Sequence, residues 1–291
     1  MNTDIEKADR NSVRSNEWIG ATGARWVDNQ QRLDKLLSPF GEAALEAARA
    51  RPGEAVLDIG CGAGDTTLAL ARSVAPDGRV LAVDISEALL TRARARAADA
   101  ALPIAFELSD AGHAALPAAA FDLLFSRFGV MFFDAPTEAF RHMRAALKPG
   151  GRLAFICWRT AAENEWAKLP LLALRGIVPI PDGDPNAPGP YAFGDAARVE
   201  TILSDAGFAD IAFTRFDTPL LYGVGADKEA VIADALDYML QIGPVPRLLA
   251  DQPEDLCAQA IAAVREMLAA RAGDDRLEID GATWIVTANN P

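Results

Sequence analysis

The feature that most constrains this chain is an apolar run that breaks into evenly spaced glycines. Ala55-Val-Leu-Asp-Ile59 is followed at once by Gly60-Cys-Gly-Ala-Gly64. A short, continuously apolar segment suits a strand buried on both faces. A glycine-rich turn after the first such strand of an open α/β sheet is where that architecture receives a nucleotide or anionic ligand. The spacing is Gly60-x-Gly62-x-Gly64, with Asp58 two residues ahead. The dinucleotide fingerprint Gly-x-Gly-x-x-Gly needs glycine at position 65, which is Asp65. An aspartate there sits badly beside a pyrophosphate. A cationic cofactor without phosphate tolerates it.

Beyond the turn, strand and helix patterns alternate. Asp65 to Val74 reads as a helix, and Arg79-Val-Leu-Ala-Val-Asp84 as a second strand. Ser86 is the expected cap of the next helix. Strands are predicted at Pro103–Leu108, Phe121–Ser126 and Arg152–Cys157, with a helix from Pro136 to Leu147. This alternation implies a mainly parallel sheet with helices on both faces. Two helical stretches precede the first strand, around 25–37 and 40–50. Residues 179–190, with five prolines and two glycines, read as an irregular loop. Asp195 should cap a further helix, and 208–221 form a sixth strand. Helices at 226–242 and 254–271 are separated by Gly243-Pro-Val-Pro246, and Ala282–Ala288 form the last strand. The expected organisation is one domain over 1–291: a helical cap (1–50), a cofactor-binding core (51–160), a lid loop (161–195) and a helical insert (226–271).

Two more aspartates follow strands. Asp84 ends the second, where a carboxylate can accept hydrogen bonds from both ribose hydroxyls. Asp110 follows the third, within reach of an adenine amino group. Any one of the three aspartates alone favours simple helix capping. All three in order with the glycines point to one ligand crevice.

These segments resemble class I S-adenosylmethionine (SAM)-dependent methyltransferases, near the ubiquinone/menaquinone-type small-molecule branch. The resemblance is carried by Val56-Leu-Asp-Ile-Gly-Cys-Gly-Ala-Gly64, Leu81-Ala-Val-Asp-Ile-Ser86, Ser109-Asp-Ala111, Phe121-Asp-Leu-Leu-Phe-Ser-Arg-Phe-Gly129 and Leu147-Lys-Pro-Gly-Gly-Arg152. It implies a Rossmann-like, doubly wound α/β fold with a seven-stranded sheet whose last strand is antiparallel. It also implies a small-molecule methyl acceptor, read here as apolar or aromatic. Asp58, Gly60, Cys61, Gly62 and Gly64 would hold the methionine portion of the cofactor. Asp84 would hold the ribose, Ile85 pack on the adenine, and Asp110 and Ala111 read the adenine edge. Ser126 and Arg127 would line the methyl-bearing end. Trp26 either closes over the cofactor or is a core tryptophan.

His113, after Asp110, is the candidate general base, should the acceptor need to lose a proton. His142 and Cys157 read as structural, and Cys61 as a small packing residue. Tyr191 and Phe193 either wall the acceptor pocket or anchor the proline-rich loop.

Composition narrows the alternatives. The formal charge of −13 argues against a nucleic-acid partner, and Arg92, Arg94 and Arg96 read as a solvated face. Three well-separated cysteines and two histidines argue against a disulfide framework or a metal site. No apolar run has membrane-spanning length, and Met1–Lys7 lacks the apolar stretch of a secretory signal, so a cytoplasmic protein without a membrane partner is expected. The oligomeric state stays open, a homodimer included. Two rivals stand: a silent SAM-binding regulator or partner subunit, and an NAD(P)-dependent oxidoreductase.

Overall fold

The computed structural model describes Trp18 and residues 20–291. The part of the expected N-terminal cap ahead of Trp18, and the Met1–Lys7 segment, lie outside the described residues. Seven strands, β1 (Ala55–Ile59), β2 (Arg79–Asp84), β3 (Ile104–Leu108), β4 (Phe121–Arg127), β5 (Leu147–Trp158), β6 (Ala209–Val224) and β7 (Arg276–Asn289), form one sheet. Its order is β3-β2-β1-β4-β5-β7-β6. β7 runs antiparallel to both neighbours, and the other pairings are parallel. The Rossmann-like sheet with its antiparallel last strand is therefore present as expected. Strand order reverses between β1 and β4, and ligands of open sheets bind at the carboxyl ends of strands at such a switch point.

The flanking helices follow the sequence pattern with instructive differences. The first described helices are α1 (Ala21–Asp28) and α2 (Gln30–Ala48), so the second runs through Pro39 instead of breaking there. Proline supplies no N–H to the carbonyl four residues back. The Ser38 hydroxyl donates to Lys35 O at 3.2 Å, giving that carbonyl a partner. α3 (Asp65–Val74) and α4 (Glu87–Asp99) start where predicted. Ser86 does not cap α4 with its side chain; Asp84 Oδ1 accepts the Ser86 N–H instead, at 2.9 Å. α5 (Pro136–Ala146) and α6 (Glu165–Leu174) follow. α7 (Ala196–Asp205) has the expected Asp195 cap, which accepts the Ala197 N–H at 3.0 Å.

Between β6 and β7 lie α8 (Lys228–Gln241), α9 (Pro244–Leu249) and α10 (Glu254–Ala269). The Gly243–Pro246 separator is thus a helix start, with proline in the first turn where its missing N–H costs nothing.

β6 and β7 are longer than their apolar stretches suggest. Trp158, at the end of β5, is level with Thr283 of β7, which is level with Phe216 of β6. β6 continues to Val224, so a two-stranded ribbon of roughly 25 Å overhangs the carboxyl edge of the sheet. Phe40 of α2 joins this overhang to the core, with ring contacts to Phe128, Trp158 and Phe216. The core and the carboxyl edge of the sheet share one aromatic seam.

Candidate active site

The turn after β1 is built on backbone conformations that only glycine adopts freely. Gly60, Gly62 and Gly64 all have positive φ. At Gly60 the constraint is also spatial, because a Cβ would lie 2.7 Å from the Cα of Gly129. The Gly60 and Cys61 N–H groups donate to Val83 O at 2.8 and 3.2 Å, tying the turn to β2. Asp84 closes the arrangement. Its Oδ2 accepts the Gly62 N–H at 2.8 Å and its Oδ1 the Ser86 N–H at 2.9 Å. Burial raises its pKa, and the backbone donors partly offset that. Each carboxylate oxygen keeps a second lone pair for a ligand hydroxyl.

Beneath the turn lies Asp58, fully buried. Its Oδ2 accepts the Thr67 hydroxyl at 2.6 Å, while Oδ1 has no partner among the described residues. Burial pushes its pKa up to about 7, against the pull of Thr67 and Arg127. A buried carboxylate oxygen without a donor is costly. A positively charged ligand group at the turn would relieve that cost.

The end of β4 supplies the next wall. Ser126 is buried and turned into the sheet, donating to Ile59 O at 2.8 Å and accepting the Gly129 N–H at 3.1 Å. It stitches β4 to β1. Arg127 lines the cleft and pairs with Asp65 at 2.9 Å, which explains how an aspartate is accommodated at the start of α3. Phe128 follows with φ +61°, a backbone state rare for a bulky side chain. Its ring stacks on Trp158 with centroids 4.3 Å apart. Sequence reasoning missed Phe128, since nothing in a pattern of residue types marks one aromatic residue as strained.

The outer wall comes from α1 and α2. Trp26, Gln30, Leu33, Asp34 and Leu37 face the glycine turn across the cleft, with Leu89 and Phe128 beside them. Trp26 both lines the cleft and packs against the core; it is partly buried and meets Trp18 edge-on at 5.1 Å. The arginines expected on a solvated face divide. Arg94 pairs with Glu87 at the surface. Arg92 donates to Gln30 Oε1 at 3.0 and 2.9 Å. Arg96 bonds Ala63 O at 2.7 Å and pairs with Asp34 at 2.9 Å. Positions four apart share a helix face, and that face of α4 bolts α2 to the glycine turn.

The remaining candidates are more dispersed. Ala111 is buried and Ile85 half-buried. Asp110 lies in the turn after β3, with Oδ1 accepting the Gly112 N–H at 2.8 Å. His113 contacts Asp110 Oδ2 at 3.1 Å, but its side chain is 81% exposed and it is not among the residues lining the cleft. His142 Nε2 meets Ala114 O at 2.7 Å, a packing role. Cys61 and Cys157 are buried, and burial pushes both thiols up. Among the described residues no group of three or more His, Cys, Asp or Glu could hold a metal ion. No described helix is long and apolar enough to cross a membrane.

Residues 56–151 match the family described as "Methyltransferase domain". The nocamycin O-methyltransferase of Saccharothrix syringae is 30% identical over 188 residues, covering 61% of this chain and 67% of that protein. This chain belongs to the class I methyltransferase family. The UbiE ubiquinone/menaquinone biosynthesis C-methyltransferase of Ralstonia pickettii is 40% identical over 156 residues, or 46% of this chain and 64% of that one. The matched stretches thus span about two thirds of these relatives' lengths. The fold is shared with Haemonchus contortus phosphoethanolamine N-methyltransferase 2, solved in complex with S-adenosyl-L-methionine. That match has a TM-score of 0.53 at 18% identity, over 87% of this chain and 52% of that one. SAM is the methyl donor of such enzymes, and the buried carboxylate, the open glycine turn and Asp84 fit a cationic nucleoside of that kind.

Proposed function

We propose that this chain transfers the methyl group of SAM to a small apolar or aromatic acceptor, as a single cytoplasmic domain. In this reading the described part of residues 1–50 is the cap, 161–195 the lid and 226–271 the insert. The observation that carries it is Asp58 Oδ1, a buried, unpartnered carboxylate oxygen directly beneath a glycine turn. When bound, the cofactor supplies an electrophilic methyl on a sulfonium. The chain's own share is positioning and dryness, because in-line displacement gains most from aligned reactants and excluded water. Asp58 and the turn hold the amino-acid end, and Asp84 holds the ribose. Ile85, Asp110 and Ala111 border the adenine. Arg127, kept in place by Asp65, frames the methyl-bearing end, and Trp26 closes from outside. The stacked Phe128–Trp158 pair forms the apolar floor on the acceptor side. An exposed His113 is not required for this arrangement.

Calorimetry with SAM, S-adenosylhomocysteine and NAD tests the cofactor assignment: the first two should bind and NAD should not. Labelled SAM with a panel of small acceptors then tests transfer. Binding of NAD alone would sink the proposal.

A further inference from the structure

The chain contains 13 phenylalanines but only three tyrosines. Tyr191, Tyr222 and Tyr238 come from three different places: the segment after the proline-rich loop, the overhanging end of β6, and α8 in the insert. They nevertheless meet. The Tyr222 and Tyr238 rings pack edge-on with centroids 5.5 Å apart, and Tyr191 is near enough that its charge, like that of Tyr238, would raise the Tyr222 pKa. Tyr222 and Tyr238 are 6% and 1% exposed, and burial raises the pKa of all three phenols, keeping them neutral donors.

Among the described residues none of the three hydroxyls has a hydrogen-bond partner, and none is a fully enclosed unpartnered atom as Asp58 Oδ1 and Ser86 Oγ are, so each phenol oxygen borders open space. Buried tyrosine hydroxyls usually find one, and phenylalanine would fill the same volume without leaving an unmet polar group. A run of ring contacts connects the cluster to the crevice. From Phe128, aromatic contacts run through Trp158 and Trp166 to Tyr191, the last step 5.7 Å between centroids.

We infer that Tyr191, Tyr222 and Tyr238 form the polar anchor of the acceptor site, donating hydrogen bonds to an uncharged oxygen on an otherwise apolar acceptor. An anionic acceptor is disfavoured because the nearby cations are taken. Arg32, whose Cζ stands 4.5 Å over the Tyr238 ring, is paired to Asp234 at 2.9 Å and bonded to Tyr222 O at 2.6 Å. Arg247, near Tyr191, also has a partner. This inference rests on the methyltransferase reading for its location.

The test uses equilibrium dialysis of the full chain, saturated with S-adenosylhomocysteine, against 2-naphthol, naphthalene and 2-naphthoate. The wild type should bind 2-naphthol at least about tenfold more tightly than 2-naphthoate. Tyr222→Phe and Tyr238→Phe should each weaken 2-naphthol about 3- to 10-fold, the value of one neutral hydrogen bond. Naphthalene binding, S-adenosylhomocysteine affinity and thermal midpoint should hold or rise, since each variant removes only an unpartnered hydroxyl. The inference is overturned by any of three results: 2-naphthol does not bind the wild type, 2-naphthoate binds better, or the variants bind 2-naphthol as the wild type does. A lower thermal midpoint in the Phe variants also overturns it, because the hydroxyls would then have structural partners. Should S-adenosylhomocysteine not bind, the methyltransferase reading fails separately, and the same titrations on the cofactor-free chain still decide the cluster.

Discussion

At the scale of single residues, the site depends on two carboxylates with different duties, one half-buried and one fully buried. Asp84 holds two backbone N–H groups and keeps lone pairs for a ligand hydroxyl, the ribose in the proposed reading. Replacing it by alanine should weaken SAM binding roughly 10- to 100-fold, the loss of charge-assisted hydrogen bonds. Asp84→Asn should fall between, and calorimetry on both variants would show unchanged affinity if the ribose sits elsewhere. Asp58 governs pH behaviour. Its folded pKa of about 7 lies above the value near 4 of an exposed carboxyl. Stability due to the protonated form is therefore complete below about pH 4 and is lost as the pH rises through 7. Asp58→Asn should flatten the decline between pH 5 and 8 seen for the cofactor-free wild type, by on the order of 3 kcal/mol at most. Urea unfolding at the two pH values reads this, and a variant with the wild-type slope would refute it.

At the scale of elements, the glycine turn and α4 decide how the cleft is held. The Gly60 backbone is both left-handed and pressed against Gly129, whose Cα would lie only 2.7 Å from any Cβ. Gly60→Ala should cost at least about 2 kcal/mol through strain and overpacking, measured as a drop in unfolding free energy, with SAM binding impaired in parallel. Arg96 ties Ala63 of the turn and Asp34 of α2 together. In Arg96→Ala, hydrogen exchange should quicken in the first turns of α2 and SAM should dissociate faster, while exchange in β4 and β5 stays unchanged. Uniformly faster exchange across the sheet would instead mean global destabilisation. The turn was legible from glycine spacing alone, because other residue types adopt that backbone only at a cost. The bolt was not. Arg92 and Arg96 share a helix face in any reading of the sequence, but what that face meets depends on where α2 crosses.

At the scale of the whole molecule, the crevice is narrow as it stands. The cavity between α1–α2 and the glycine turn holds about 60 Å³, against roughly 300 Å³ at the lower end of small-molecule sites. α1 and the start of α2 form the outer wall of that cavity, so a cofactor at the glycine turn should press on them first. Saturation with S-adenosylhomocysteine should slow hydrogen exchange across residues 20–37 more than anywhere in the sheet. Equal protection everywhere would argue for simple stabilisation by mass action instead.

The sequence by itself determined the sheet, its parallel core and the cofactor turn. Those rest on local rules: a two-residue or 3.6-residue period, and glycine where φ must be positive. Only the tertiary structure decided that Ser126 faces the sheet, that His113 stands in solvent and that Arg96 clasps the cap. It alone brought the three tyrosines together from segments 31 and 16 residues apart. These are matters of which surfaces meet after the chain has folded, and meeting is set by long-range packing that no local spacing encodes.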